Sequence, residues 1–266
     1  MSDCDDRFHR SRRRRGRFAV AVVLAVLVPG LLGCGVGEYR GRLQERVGDL
    51  ATASDFAGLY APQPLPNKPV AVRVPQSFER PPLVAGVPLA EEDAPPDDAR
   101  VKPGVVELPG LTYTYEEFVS DAEGGRIAYY LYLSAEDTTQ HGFRDPNRRW
   151  LSQVNARFPD QQVDWENVAC DTPEGRSVIW QRLRAEGEQP FHYVDKDGQT
   201  RSVRLPGVFE LYYRVEDDWL VAIAWRVPAM IAEHVNLDTQ APLVAGAVEF
   251  KGRAEAAGGP IGDPMY

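Results

Sequence analysis

Residues 219–227 read WLVAIAWRV, and this stretch decides the fold that the sequence predicts. Side chains alternate between the two faces of a strand, so one face would carry Trp219, Val221, Ile223, Trp225 and Val227. The opposite face would carry Leu220, Ala222, Ala224 and Arg226. Because both faces are largely apolar, the pattern is typical of a central strand that is covered on each side.

Strand patterns, turn signals and three helical patterns surround this stretch. The predicted strands cover residues 113–119, 126–134, 177–184, 189–194, 200–205 and 208–215. Turns are predicted at 123–125, 195–198 and 216–218, the last one leading directly into the central strand. A helix is predicted over 148–158, with Asp145 as N-cap and Pro146 at its first position. A second helix is predicted to start at Pro228 and to reach toward His234, and a third covers 239–250. This order predicts an α+β fold, an antiparallel sheet with helices packed on it.

Two segments precede this domain in the sequence. Residues 38–60 predict a helix, because Tyr39, Leu43, Val47 and Leu50 recur at helical spacing. The sequence leaves three roles for this helix open. It could lie along a membrane, pair with a helix of a partner protein, or pack on its own domain. Residues 61–110 hold twelve of the 22 prolines, which interrupt any continuous strand or helix. We predict an extended wrapper or tether there, with short extended pieces at 70–74 and 82–87 and an acidic, solvated loop at 91–98.

The N-terminus has the three parts of a secretory signal peptide. A basic region with four consecutive arginines, 12–15, is followed by an apolar run that starts at Phe18. The apolar stretch 18–33 is shorter than the roughly 20 residues that a membrane-spanning helix needs. The pattern therefore favours an exported protein over one with a transmembrane helix.

Leu31-Leu32-Gly33-Cys34 closes this leader and resembles the bacterial lipobox. The resemblance implies that Cys34 carries a lipid thioether, that cleavage separates Gly33 from Cys34, and that the new amino terminus is acylated, with a fatty acid such as palmitate. A plain leader or an uncleaved signal anchor is the alternative. The resulting expectation is a lipoprotein held on a membrane of the bacterial cell envelope, inner or outer.

These observations divide the chain into five predicted parts. They are a signal peptide (1–33), a lipid-anchored helix (34–60), a proline-rich extended segment or linker (61–110), an α+β domain (111–252) and a flexible tail (253–266). The net charge of -9 is unevenly spread, because the leader holds seven Arg against three Asp. The acidic remainder argues against binding to nucleic acid.

The sequence lacks the usual catalytic and cofactor motifs, so we expect no cofactor and favour a non-enzymatic role. The histidines at 141, 192 and 234 have no metal-ligand spacing, and we expect no metal site. Asp195-Lys196-Asp197-Gly198 lacks the later ligands of a calcium loop and predicts a turn. We interpret the carboxylate pairs 116–117 and 217–218 as solvated charges. The aromatic residues of the strands are interpreted as core residues, and Cys170 is interpreted as a buried structural thiol.

The order of elements over residues 111–252 resembles the PsbP-like α/β sandwich, although no signature residue supports the likeness. Two hypotheses follow. The first is a non-enzymatic envelope module that contacts another envelope component through the helix 38–60 and the proline-rich segment. The second is a PsbP-like lipoprotein that binds a small ligand or cation in a groove beside the strand 219–227. A concave pocket with convergent polar side chains would favour the second hypothesis.

Overall fold

A computed structural model describes residues 42, 54–85, 100, 103–121, 124–140 and 145–250. The chain divides into two compact units, residues 1–52 and 53–266, and all the described residues except Arg42 belong to the second. This described part is mostly antiparallel sheet with few helices, so the α+β expectation holds in part. Among the described residues, no helix combines the length and apolarity that crossing a membrane requires.

Ten strands and three helices follow one another along the described residues. The strands are β1 (Gln63–Pro64), β2 (Val70–Val72), β3 (Leu83–Val84), β4 (Leu111–Ser120), β5 (Arg126–Asp137), β6 (Glu166–Asp171), β7 (Ser177–Val194), β8 (Thr200–Glu216), β9 (Trp219–Pro228) and β10 (Glu249–Phe250). The helices are α1 (Pro146–Arg157), α2 (Ala229–Ala232) and α3 (Leu237–Gly246).

A seven-stranded antiparallel sheet in the order β3-β4-β5-β9-β8-β7-β6 forms the body. Strand β9 lies between β5 and β8, which confirms the prediction of a central strand. On one face the Trp150 ring of α1 contacts Tyr213, with ring centroids 5.6 Å apart. On the other face the Phe78 ring lies 5.9 Å from the ring of Trp225. Apolar side chains therefore cover both faces of the centre of the sheet.

Helix α1 begins as the sequence predicts. The Asp145 side chain accepts a hydrogen bond from the Asn147 backbone N–H, and Pro146 occupies the first turn, where its missing donor costs nothing.

Strands β7 and β8 form one long hairpin where the sequence predicted four short strands. Gly187 pairs with Gly207 at its middle, where the prediction placed interruptions. A Cβ at Gly187 would lie 2.7 Å from the Phe158 ring, and one at Gly207 would lie 2.6 Å from the Phe191 ring. The two glycines therefore make room for packed aromatic rings and do not end the strands. The tip of the hairpin bends back to pair with the start of β5 at Arg126 and Ile127.

The proline-rich segment is part of the core in its described residues. Val70, Val72, Val74 and Phe78 are buried, and β2 pairs with both β1 and β10 in a second, three-stranded sheet. Of the two roles predicted for this segment, the burial of these side chains fits the wrapper and not the tether or linker. Residues 61–85 and 103–110 pack on the body of the sheet, so the packed part of the chain starts before residue 111. The predicted acidic loop at 91–98 lies outside the described residues.

Two predicted helices differ from the structure at their ends. The C-terminal helix stops at Gly246, because residues 249–250 extend and pair with β2. In the N-terminal prediction 38–60, a 3-10 turn covers Phe56–Gly58 and Leu59 already bridges Pro75 in an extended conformation. Residues 38–41 and 43–53 of that prediction lie outside the described residues. The same is true of the leader with Gly33 and Cys34 and of the tail 253–266.

Candidate functional site

An open groove of about 1180 Å³ lies at the end of the sheet where β5 stops and β8 turns into β9. One wall is the proline-rich loop 64–69 that connects β1 to β2. The opposite wall is the turn at 217–218 together with the end of β5. The groove thus joins a segment near the start of the described chain to the hairpin that leads into the central strand.

The proline wall is shaped by a tight connection between two short strands. The Leu65 backbone N–H donates to the Val70 carbonyl over 2.8 Å, and the Leu65 side chain is buried in the core. Asn67 sits in the left-handed region with a φ of 59°, which asparagine tolerates better than most residues. Because the loop is anchored at both ends, Pro64, Pro66 and Pro69 present a preformed apolar surface to the groove.

Lys68 fastens this loop to the sheet. Its ammonium donates to the Gly110 carbonyl and the Thr112 hydroxyl, each over 2.7 Å, and to the Ala135 carbonyl. Burial lowers the pKa of Lys68, and the nearby Glu136 carboxylate acts in the opposite direction. Since its three donors are engaged by protein oxygens, Lys68 holds the wall in place and offers little charge to a ligand.

The acidic wall depends on a two-residue turn of unusual composition. Asp217 and Asp218 have positive φ values of 47° and 66°, as in the type I′ turn that favours Asn-Gly. The Thr138 backbone N–H and hydroxyl donate to the Asp218 carbonyl over 2.8 and 2.9 Å. This pair of hydrogen bonds fixes the turn against the end of β5, so both carboxylates are held at the groove.

Two aromatic rings and a third carboxylate complete the groove. Asp137 at the end of β5 pairs in register with Trp219 at the start of β9, and both line the groove. Tyr113 of β4 contributes the second ring, 6.2 Å from the ring of Tyr115. The Asp137 carboxylate already accepts hydrogen bonds from the Thr139 backbone N–H and hydroxyl over 2.9 and 2.6 Å. The groove therefore offers apolar rings and prolines beside three acidic residues. Such a surface suits a ligand that is both apolar and positively charged.

A second polar cluster lies on β7 and β8, with a buried carboxylate at its centre and two partly exposed arginines around it. Glu210 is fully buried, and its carboxylate accepts a 2.7 Å hydrogen bond from the Tyr212 hydroxyl. The guanidinium groups of Arg182 and Arg184 lie 3.8 and 3.5 Å from its two oxygens. Burial raises the pKa of Glu210, while the hydroxyl and the two guanidinium groups oppose that rise. We interpret this cluster as structural, because the Glu210 carboxylate lies beside one hydroxyl and two guanidinium groups. The ion pairs are loose, since the Glu210 Oε2 and the Arg182 Nε make no hydrogen bond.

The same two arginines tie the edge of the sheet and α3 to the hairpin. Arg182 donates to the Glu166 carboxylate of β6 over 2.7 Å, and Arg184 donates to the Asp238 carboxylate of α3. Cys170 of β6 is buried, as predicted, and burial raises the pKa of its thiol to about 12. The thiol therefore stays protonated at neutral pH, which argues against a nucleophilic role.

The other residues that the sequence singled out are scattered. The His192 ring lies 3.1 Å from the Glu116 carboxylate, whereas His234 is far along the chain at α2 and His141 lies outside the described residues. No cluster of three metal-ligating side chains occurs in the part of the chain that the structure describes. The Asp195 carboxylate accepts from the backbone N–H groups of residues 197 and 199, which is turn geometry.

A groove beside the strand 219–227 was one of the two sequence hypotheses, and Trp219 lines the observed groove. The other lining residues were not predicted. The sequence analysis assigned the pair at 217–218 to a solvated turn; both residues are exposed as expected, but they also line the groove. It also assigned Trp219 to the core together with the other strand aromatics. Tyr129, Tyr130, Tyr132, Tyr212 and Trp225 are indeed buried, while Trp219 remains half-buried at the groove. The one available signal was two successive aspartates at a hairpin turn, where asparagine and glycine are favoured.

Comparisons with known proteins give little beyond a weak likeness in fold. No family model matches the sequence, and a search of curated proteins finds no match. One solved structure that resembles the chain is the solution structure of cyanobacterial PsbP (CyanoP) from Synechocystis sp. PCC 6803. It covers 73% of this chain and 93% of its own, with 10% sequence identity and a TM-score of 0.34. At this level the similarity carries no argument about the site or its ligand.

Proposed function

We propose that this chain is a lipid-anchored protein of the bacterial cell envelope that acts as a non-enzymatic interaction module. In this proposal Cys34 carries the lipid, and the groove between the proline-rich loop and the turn at 217–218 receives another envelope component. The lipid anchor in this proposal is supported by the lipobox-like Leu31-Leu32-Gly33-Cys34. The interaction role is supported by the groove, which combines aromatic rings with exposed acidic residues.

The groove is the observation that carries the proposal. Its walls are pre-organised, because Lys68 anchors the proline loop and Thr138 anchors the acidic turn. A preformed surface loses little conformational entropy on binding, which favours recognition over a purely structural role. The anchor would keep this acidic body at a membrane surface, where a second envelope component is concentrated beside it.

A PsbP-like function as a small-ligand or cation-binding lipoprotein is the second candidate. The observation in its favour is the concave site itself, since convergent polar side chains in a pocket are the feature expected of a ligand-binding protein. In this alternative an amine or another small cation occupies the space beside Asp137, Asp217 and Asp218.

The lipid anchor is tested by metabolic labelling in an expressing bacterium. Alkyne-tagged palmitate should label the wild-type protein, and the Cys34→Ala variant should remain unlabelled. An unlabelled wild-type protein that is nevertheless exported would contradict the anchor.

The interaction is tested by placing a photo-crosslinking amino acid at Asn67 or Thr139, two exposed positions that line the groove. Lys196, exposed at the tip of the β7–β8 hairpin, serves as the matched control position. We expect one discrete adduct from the groove positions, none from Lys196, and a reduced yield when Asp217→Asn and Asp218→Asn are added. The absence of an adduct at both groove positions, with an amine co-purifying instead, would favour the second candidate.

A further inference from the structure

The charges at the groove are unbalanced toward the acidic side. Asp137, Asp217 and Asp218 line it, and Lys68 is the cation that lines it among the described residues. The Lys68 ammonium is already bound by three protein oxygens. Arg214, which interacts electrostatically with Asp217, has its guanidinium paired with Glu216. A ligand with positive charge would therefore complement the groove.

The apolar surface of the groove restricts the kind of cation further. Pro64, Pro66 and Pro69 form one side, and the rings of Tyr113 and Trp219 lie on the other elements. Lysine and arginine side chains carry a long apolar stem below a charged head. Such a stem packs on prolines and aromatic rings while the head reaches a carboxylate or lies over a ring face. An inorganic cation would leave the apolar surface unused.

The size of the groove favours a chain over a single small molecule. Its volume of about 1180 Å³ exceeds the roughly 300–1,000 Å³ that is usual for small-ligand pockets. The groove is also open to solvent and not enclosed. An extended peptide of several residues could lie along it with alternate side chains directed into it.

The acidic turn brings two carboxylate residues to the groove in succession. Asp217 and Asp218 occupy two positions with positive φ, where Asn-Gly gives the lower conformational energy. The hydrogen bonds that anchor the turn use the Asp218 backbone carbonyl, while the Asp217 carboxylate interacts electrostatically with Arg214. Aspartate is a favoured residue at the first position of such a turn, and glycine would suit the second position better than Asp218.

We propose that the groove binds an extended peptide segment that carries lysine or arginine side chains, and that Asp217 and Asp218 provide the main attraction for them. This inference rests on the proposed function, for which it names the class of partner segment. Trp219 and Tyr113 contact the side-chain stems, and Lys68 positions the opposite wall.

The test measures the binding of defined peptides to the full chain in detergent by fluorescence anisotropy. The probe is a fluorescein-labelled decapeptide of alternating lysine and alanine, and the control is the same peptide with glutamate in place of lysine. We expect saturable binding of the lysine peptide, none of the glutamate peptide, and weaker binding as salt is raised. Spermidine that binds as tightly as the lysine peptide would overturn the assignment to a peptide.

The decisive variant is Asp217→Asn combined with Asp218→Gly, which suits the turn geometry and so should fold at least as well as the wild type. We expect its affinity for the lysine peptide to fall by about tenfold. The matched control, Asp160→Asn combined with Asp197→Asn, removes two exposed carboxylates elsewhere and should change the affinity by less than about twofold. Equal losses in the two double variants would show that attraction is due to net charge, and would overturn the site.

Two outcomes separate this inference from the proposed function. If photo-crosslinking from Asn67 captures a discrete partner but the lysine peptide does not bind, the class of segment is wrong and the interaction module stands. If the lysine peptide binds at the groove but no crosslinked partner forms in the native envelope, the groove has the inferred chemistry and the proposed function fails.

Discussion

Glu210 and the Asp217–Asp218 pair lie only a few residues apart along one hairpin, but their environments are opposite. Glu210 is fully buried within reach of Tyr212 and two arginines. Asp217 and Asp218 are exposed at a turn whose geometry favours other residues. The buried carboxylate therefore takes part in the packing of the sheet, whereas the exposed pair lines the groove at a turn whose second position would suit glycine better.

This difference shows how a strand register sorts acidic residues into two roles. Glu210 pairs in register with Arg184 on β7 and with Trp225 on β9, so its carboxylate faces the interior beside a cation. Seven residues later the chain reverses at Asp217 and Asp218, and these two turn residues are exposed. Glu210 has two guanidinium groups beside it, whereas Asp217 and Asp218 are exposed and line the groove.

The largest expected effect is the loss of the buried carboxylate. Glu210→Ala should lower the free energy of unfolding by about 3 kcal/mol, because it removes the acceptor of Tyr212 and leaves two guanidinium groups in a poorly solvated site. The measurement is urea denaturation followed by tryptophan fluorescence. Glu166→Ala is the matched control, since that mostly exposed carboxylate also pairs with Arg182 and should cost less than about 1 kcal/mol. Equal effects of the two variants would contradict a structural role specific to Glu210.

A second effect is a pH dependence that Glu210 contributes to stability. Burial raises its pKa in the folded state above the usual 4.5, so the folded state binds more protons than the unfolded state between those two values. The contribution of Glu210 to stability should therefore fall as pH rises through that window. Urea midpoints should be measured from pH 4 to 8 for the wild type and for Glu210→Gln. The midpoint of the variant should rise relative to that of the wild type as pH increases, because the variant has no carboxylate to ionise. A difference between them that does not vary with pH would contradict the raised pKa.

The smallest expected effect is a gain. Asp217→Asn combined with Asp218→Gly should raise the free energy of unfolding by about 1 kcal/mol, because asparagine and glycine adopt positive φ more readily than aspartate. For a unit of this size the gain corresponds to a rise in Tm of about 2–4 °C. Calorimetry at low and high salt would measure it. A loss of stability would mean that the two carboxylates support the turn, which would remove the contrast with Glu210.

Much of the fold could be predicted because it depends on signals within a few residues. The apolar faces of residues 219–227 indicated a central strand, and β9 is one. Asp145 and Pro146 marked the start of α1. The turn at 195–198 was recognised from its own residues. In contrast, Gly187 and Gly207 suggested interruptions, because their true role depends on the rings of Phe158 and Phe191 that only tertiary packing brings beside them.

The sequence by itself determined the alternation of strands, the cap of α1, the hairpin turns, the acidic character of the body and the lipobox-like leader, because each of these is written in neighbouring residues. Only the tertiary structure decided that the proline-rich segment joins the core, since β2 pairs with β10 across some 180 residues of chain. The groove was decided in the same way: Pro66, Tyr113 and Asp217 come together through sheet topology. Contacts between residues so distant in the chain leave no periodicity or local motif, and they arise only when the strands pair and the faces of the sheet are covered.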